Sequence, residues 1–299
     1  MMLAAVLLAG ALACPATGLS VAVLGSGGPI AEGRAGPAYL VHVEGAPRLL
    51  IDAGPGALLR LGEAGVAPES LDAIALSHLH VDHAGDLPAL LKSANFADPP
   101  ARLALFGPDG RGLFPGLRQH VTALISERSD VFRYLADWLA GPKPRLTITE
   151  VNSADPDSPR ETLLVDRPAY RLSAVVVHHG VVPALAFVVR SGGQTAVLAG
   201  DQSEFSTGFD TALAGSRPGL LIMHHAIPEG PGQPRGLHRP PAQLGEAAAR
   251  LGAGQLVLSH NMKRALDRQA EGLAAIGRSY QGHVTIAGDG QCFAALLPQ

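Results

Sequence analysis

The sequence predicts a single α/β domain, and three observations carry that expectation. The chain has 299 residues, 47% of them hydrophobic, enough for a large core in one domain. Short apolar, β-branched runs recur from one end to the other with helical patterns between them, so strands dominate each half with helices interspersed. No repeat, charge run or Pro/Gly-rich linker divides the chain.

In chain order, "LSVAVLGSGGP" reads as a strand from residue 19 that ends in a glycine turn, and "AYLVHVEG" and "RLLIDAG" as two further strands. A helix is expected over Gly56 to Ala64, closing near Gly65, before the short apolar run "LDAIALSH". "DLPALLKSAN" opens a helix with Pro88 in its first turn, and "RLALFGP" is a strand. Helical patterns follow in "GLRQHVTALIS" and "VFRYLADWLA". "RLTITEV" and "YRLSAVVVHH" alternate like strands, and "NSADPDSPRET" between them is turn chemistry. "ALAFVVRSGGQTAVLAGD" reads as a hairpin turning at Gly192-Gly193, and "GLLIMHHAI" as a buried strand. "EGPGQPRGLHRPP" is a loop, "PAQLGEAAARLG" a helix and "QLVLSH" a strand. A helix near "RQAEGLAAIGRSY" and strands at "HVTIAGDG" and "CFAALL" close the chain.

Residues 1–18, "MMLAAVLLAGALACPATG", stand apart from this pattern: an apolar run followed by an Ala-x-Ala site at Ala11 to Ala13 reads as a signal peptide. The domain is then residues 19–299, without a transmembrane segment, and its location periplasmic or secreted, or cytoplasmic if the leader is not a signal. Lipidation at Cys14 is left open. The formal net charge is −3 and the basic residues are scattered, so no electrostatic footprint for nucleic acid stands out. Cys14 and Cys292 are too few for a disulfide framework or a thiolate metal site. A homodimer is compatible with the sequence but nothing in it requires one.

The densest chemistry lies in "ALSHLHVDHAGDLPALL". His78 and His80, two apart on an extended stretch, can face one cation together. Asp82 and His83 follow as the backbone turns and can address a second, with Gly85 giving the turn room. Three other apolar strands end in ligand-type residues: "AVVVHH" in His178 and His179, "AVLAGD" in Asp201, "LVLSH" in His260. In α/β folds sites collect where strands end, so these endings point to one shared metal site. Two cations about 3.5–4 Å apart can share a hydroxide and clamp the attacking and leaving oxygens. Imidazole and carboxylate ligands without thiolate favour two zinc ions, with manganese or iron as alternatives. The glycine turn at Gly25 to Gly28 lacks the Lys-Ser/Thr ending of a phosphate loop and is read as a tight turn only. His42, His120 and His283 are isolated and carry no role.

His-x-His-x-Asp-His, with "VLGSGGP", "LLIDAG", "HGVVPALAF", "AGDQS" and "LVLSH" around it, resembles the metallo-β-lactamase superfamily over nearly the whole chain after the leader. Within it the chain is similar to the ribonuclease Z, phosphodiesterase and arylsulfatase branch. The resemblance implies an αββα four-layer sandwich. It implies His78, His80 and His179 on one metal, Asp82, His83 and His260 on the other, and Asp201 bridging; Asp52 would support the metal loop. It favours His179 over His178. It also marks His238 as an auxiliary histidine before the last ligand.

Two departures bear on substrate. In "LLIMHHA", His225 stands where ribonuclease Z proteins carry Glu. Only 21 residues separate His179 from Asp201, where those proteins insert a tRNA-gripping arm. With the leader, these departures disfavour tRNA 3′-processing. The expected function is a dinuclear metal-dependent hydrolase of a small phosphoester or sulfate ester, with no nucleic acid partner. A metal-bridging hydroxide would attack, Asp82 counts among the catalytic residues as well as the ligands, and His238, with His224 or His225, would protonate or steady the leaving group. A lactonase and a mononuclear-iron sulfur-oxidising enzyme are the alternatives. A non-catalytic scaffold is disfavoured, because all the ligands the resemblance implies are present and buried charge without a metal is costly.

Overall fold

A computed structural model describes residues 14–297. Residues 1–13, and with them most of the expected leader, lie outside the described residues. The first strand begins at Leu19.

The chain forms two seven-stranded mixed sheets. The first contains β1 (Leu19–Gly25), β2 (Ala38–Val43), β3 (Ala46–Ile51), β4 (Ala73–Ala75), β5 (Leu103–Pro108) and β6 (Leu146–Val151), in the order β14-β1-β2-β3-β4-β5-β6 with β14 (Gln291–Ala294). The second runs β13-β12-β11-β10-β9-β8-β7, with β7 (Glu161–Asp166), β8 (Arg171–His179), β9 (Val182–Ser191), β10 (Gln194–Leu198), β11 (Leu220–His224), β12 (Gln255–Ser259) and β13 (His283–Ile286). The helices are α1 (Ala57–Glu63), α2 (Val81–Ala84), α3 (Leu87–Ala94), α4 (Leu117–Ile125), α5 (Thr207–Ala212), α6 (Pro241–Leu251), α7 (Lys263–Leu266) and α8 (Gln269–Ile276).

Side-chain alternation builds the layers. In β1, Leu19, Val21 and Val23 enter the core between the sheets, while Ala22 and Leu24 face the helices outside. In β9, Leu185, Phe187 and Val189 face inward, and Ala184, Ala186 and Val188 face the outer layer. α3 and α4 cover the first sheet through Leu90, Leu91, Leu117 and Val121. α5, α6 and α8 cover the second through Phe209, Leu244, Leu251 and Ile276. The result is the expected helix–sheet–sheet–helix sandwich.

Strand direction positions the site. β3, β4, β5 and β6 pair in parallel, as do β10, β11, β12 and β13. Parallel neighbours end at the same edge, so β3 and β4 in one sheet and β10, β11 and β12 in the other deliver their last residues to one ledge.

Three local expectations change. β7 was not foreseen, because "ETLLVD" follows a turn-rich run and shows no clean alternation; its residues are at most half-buried at the sheet edge. The apolar tail leaves the core after Ala295, and Leu296 and Leu297 are exposed. The two cysteines, too few for a framework, nevertheless pair: Cys14 and Cys292 form one disulfide across 278 residues, tying the segment before β1 to β14. A lipid on Cys14 is incompatible with that bond.

Candidate metal centre

The site begins with the loop after β4. Ser77 and His78 leave the strand extended, and α2 begins at Val81 with His80 as its extended N-cap residue. Asp82 and His83 lie in that short helix, so the loop changes direction between the two pairs of ligand-type residues. Asp86 does not join them: its Oδ2 accepts hydrogen bonds from the N–H groups of Gly56 and Leu58 at 3.0 Å each and holds the start of α1.

Asp52, just past β3, fixes the loop. Its carboxylate accepts the Ser77 N–H at 2.6 Å and the Ser77 hydroxyl at 2.9 Å, and lies 2.8 Å from His83 Nδ1. The last contact makes Nδ1 the protonated nitrogen and leaves Nε2 free. Asp52 adopts a left-handed backbone (φ 59°), as does His260 (φ 53°). Such conformations in non-glycine residues occur where surrounding structure enforces them, commonly at functional sites.

The second sheet supplies the rest. His179 ends β8, His224 ends β11, and His260 follows β12. Asp201 follows β10 through Gly200, whose positive φ and close approach to the Leu185 carbonyl exclude a side chain there. His78, His80 and His179 place one ring nitrogen each within 4.8 Å of one another. So do His83, Asp201, His224 and His260, and so do His179, Asp201 and His238. Asp201 lies at the centre. Its Oδ2 is 3.5 Å from His179 Nε2, 3.6 Å from His83 Nε2 and 3.9 Å from His78 Nε2. Its Oδ1 is 2.7 Å from His224 Nδ1, 3.5 Å from His238 Nδ1 and 3.6 Å from His260 Nε2. Asp82 Oδ2 approaches His260 Nε2 at 3.3 Å and His83 Nε2 at 3.6 Å.

The donor set fits a pair of divalent cations. His83 Nε2 is buried without a hydrogen-bond partner and faces two carboxylates at cation-bridging separation. The cluster around it is built of imidazoles and carboxylates, with no thiolate, the chemistry suited to zinc, manganese or iron. Electrostatics agree. Burial alone would raise the Asp201 carboxyl, but His260, His238 and His179, with the hydrogen bond from His224, hold it well below the ordinary range. Burial, with His83 and His179 nearby, holds the His78 imidazole well below its usual value, so it stays neutral with a lone pair to offer.

His178 and His225 are not brought to the cluster. His178 projects to the opposite face of β8 from His179 and meets Asp157 at 3.1 Å near the surface. His225 turns away from His224 and sits 3.2 Å from Asn261 Oδ1. In both pairs the period-two alternation that places one histidine in the site removes the other. Four positions were not foreseen as parts of the site. The Tyr39 hydroxyl donates to Ser259 Oγ and contacts His224 Nε2, both at 3.0 Å. Ser77 joins Asp52 to the loop, and the Leu237 carbonyl accepts from His179 Nδ1 at 2.9 Å. The repeated Leu-Ser-His ending, at Ser77-His78 and Ser259-His260, is the sequence signal that marks the two serines. Arg239 is buried beside His238 and bonds Asp210, Gln202 Oε1 and the Ser206 carbonyl.

Two sheets, helices on both outer faces and a His/Asp cluster at the strand ends define a metallohydrolase of the αββα class. The metallo-beta-lactamase superfamily profile matches residues 31–259, and the chain belongs to that superfamily. It is 30% identical over 289 residues to ribonuclease Z of Mycolicibacterium paratuberculosis (strain ATCC BAA-968 / K-10), covering 91% of this chain and 96% of that protein. Its fold is similar to those of the metallo-beta-lactamase fold protein YhfI from Bacillus subtilis (TM-score 0.69, 22% identity, 92% of this chain and 98% of that one) and human tRNase Z, short form (TM-score 0.68, 20% identity, 94% and 100%).

The ribonuclease Z relationship overturns two expectations, that tRNA processing is disfavoured in favour of a small phosphoester or sulfate ester, and that no nucleic acid partner exists. Those expectations leaned on His225, on the short stretch before Asp201, on the leader and on the scattered basic residues. His225 faces Asn261 rather than the cluster, so its identity says little about chemistry at the site. The relationship instead spans nearly the full length of both proteins.

Proposed function

We propose that the chain is a metal-dependent phosphodiester hydrolase acting on RNA, a nuclease of the ribonuclease Z type that works with two zinc ions. The observation that carries the reading is the position of Asp201, with both carboxylate oxygens between two sets of imidazoles. Full-length kinship with ribonuclease Z proteins supports the substrate class. In this reading His78, His80, His179, Asp82, His83, His260 and Asp201 would hold the ions. Bound there, divalent cations supply Lewis-acid activation of water and charge stabilisation at the phosphoryl group.

The chain's own residues do the rest. Asp52 fixes the His83 tautomer, and Tyr39 with Ser259 fixes His224, which orients Asp201. His238 is pushed down to about 4, first by burial, and is neutral at pH 7. A neutral ring placed beside Asp201 donates one N–H to a phosphoryl or leaving oxygen, steadying charge as the bond breaks. The Cys14–Cys292 disulfide supports an oxidising compartment, the periplasm or the exterior, so the RNA would be met outside the cytoplasm.

The test is cleavage of a 3′-extended tRNA and of a single-stranded oligoribonucleotide, with zinc and with manganese, beside a lactone and an aryl sulfate. RNA cleavage that disappears in His80→Ala, together with loss of one metal equivalent, is the expected result. RNA left intact by metal-loaded protein, with turnover of the lactone or sulfate instead, would refute it.

A further inference from the structure

The metal loop has a second side. Between His78, His80, Asp82 and His83, the residues Leu79 and Val81 point elsewhere and floor a cavity of about 510 Å³. Its other walls include Lys92 of α3, His120 of α4, and Phe132 and Tyr134 from the 3₁₀ region that follows. Leu79 also lines a small separate cavity of about 50 Å³ that His80 borders, so the two cavities flank the same stretch of the metal loop.

Three features say what would fill it. Two aromatic rings stand at one wall of a lining that is otherwise largely aliphatic: Tyr134 is 62% exposed and its ring stands edge-on to Phe132, with centroids 6.1 Å apart. The Lys92 ammonium lies 4.6 Å from the Phe96 ring centre and 5.4 Å from that of Tyr134, and among the described residues it has no carboxylate partner. The His120 ring makes no hydrogen bond among the described residues. Its pKa is held below the usual value by burial, so at neutral pH it offers one donor and one acceptor. A lipid or apolar peptide would leave the ammonium and the imidazole unused. A flat heteroaromatic ring attached to a phosphate uses all three.

We infer that this cavity is a nucleobase subsite: it takes the base of a nucleotide flanking the scissile phosphodiester, stacked against Tyr134 and Phe132, with Lys92 on the adjoining phosphate. The inference rests on the RNA reading above and deepens it. Stacking on aromatic side chains is tolerant of base identity, which suits single-stranded RNA. The cavity volume lies in the range of small-ligand sites.

The probe is an RNA trinucleotide carrying 2-aminopurine, with phosphorothioate linkages that resist hydrolysis, titrated into the metal-loaded protein. Stacking quenches the 2-aminopurine emission, so a saturable quench is expected. Tyr134→Ala should weaken binding about tenfold, within the range measured for loss of one base–aromatic stack. Tyr134→Phe should keep wild-type affinity, and Lys92→Gln should flatten the salt dependence of binding. Absence of a saturable quench, a quench unchanged in Tyr134→Ala, or displacement of the probe by an alkyl phosphate as readily as by unlabelled trinucleotide would each overturn the subsite. RNA cleavage without the quench removes the subsite and leaves the nuclease; the quench without cleavage removes the nuclease and leaves the subsite.

Discussion

Asp52→Asn isolates the link between the first sheet and the metal loop. The wild-type carboxylate collects the Ser77 N–H, the Ser77 hydroxyl and His83 Nδ1 within 2.6–2.9 Å, and Asp52 is almost fully buried. Asparagine keeps the volume but has one acceptor oxygen, and its NH₂ group faces a donor. The Ser77 hydroxyl can rotate, so one or two buried donors lose their partner. Each costs ~1–3 kcal/mol, which puts the loss of stability at about 3 kcal/mol. For a chain of this length that corresponds to a fall in Tm of roughly 6 °C. His83 also loses the acceptor that keeps its proton on Nδ1, and loss of such an outer partner lowers metal affinity ~10–100-fold. Thermal denaturation of chelator-treated protein reads the first quantity, and competition against a chromophoric chelator reads the second. A variant that melts with the wild type and holds zinc as tightly would refute the argument. A stability loss with unchanged affinity would refute the coupling between Asp52 and the ligand tautomer.

Three further outcomes are expected. His225 is buried against Asn261 and burial lowers its pKa. The unfolded chain therefore takes up a proton at about pH 6.5 that the folded chain refuses, so stability falls as pH drops through 6.5 towards the lower folded value. His225→Gln should flatten that slope in urea titrations between pH 7.5 and 5.5, and an unchanged slope would exclude His225 as its source. Replacing Cys14 and Cys292 with Ser should cost ~2–5 kcal/mol, because the bridge closes a loop of most of the chain; denaturation with and without reductant measures it, and equal wild-type midpoints in the two would contradict the bond. Arg239→Met leaves Asp210 with Arg250 at 3.1 Å but removes the buried fork that holds the segment after His238. It should cost about 3 kcal/mol, the lower end for breaking a buried pair; turnover unaffected in a folded variant would show that Arg239 does not position His238.

The metal loop was legible in the sequence because its information is local. Three histidines and an aspartate in six residues after a strand have few structural explanations, and β-strand alternation tells which of His78, Leu79 and His80 face the same way. The choice between His178 and His179 was not local. It needed the register of β8 against β9, where His179 stands opposite Val182, and only the resemblance supplied it beforehand. The same holds for His224 and His225, which look equivalent in "LLIMHHA" until β11 is placed between β10 and β12. The Cys14–Cys292 bond joins the two ends of the described chain, and no periodic pattern reports a contact over such a distance. β7 escaped because an edge strand, solvated on one side and half-buried on the other, needs no strong hydrophobic pattern.

Charge and shape constrain how RNA could be held. The formal net charge of −3 gives the chain no general attraction for a polyanion. Residues 180–200, between His179 and Asp201, are taken up by β9, β10 and two tight turns at Gly180 and Gly192-Gly193, so nothing projects from that stretch. On the proposed RNA reading, contacts with the substrate would come from elsewhere on the ledge. Pro108, Phe114 and Pro115 meet Val182 and Pro183 beside His80, and the Leu237 carbonyl accepts from His179 Nδ1. The side chains of Pro108, Phe114, Pro115, Val182 and Pro183 are apolar or aromatic. A rim of this kind favours stacking of individual bases over tracking of a duplex backbone, because backbone tracking requires a row of paired phosphate contacts. If the proposed RNA reading holds, such a rim would suit short single-stranded segments better than a whole folded RNA.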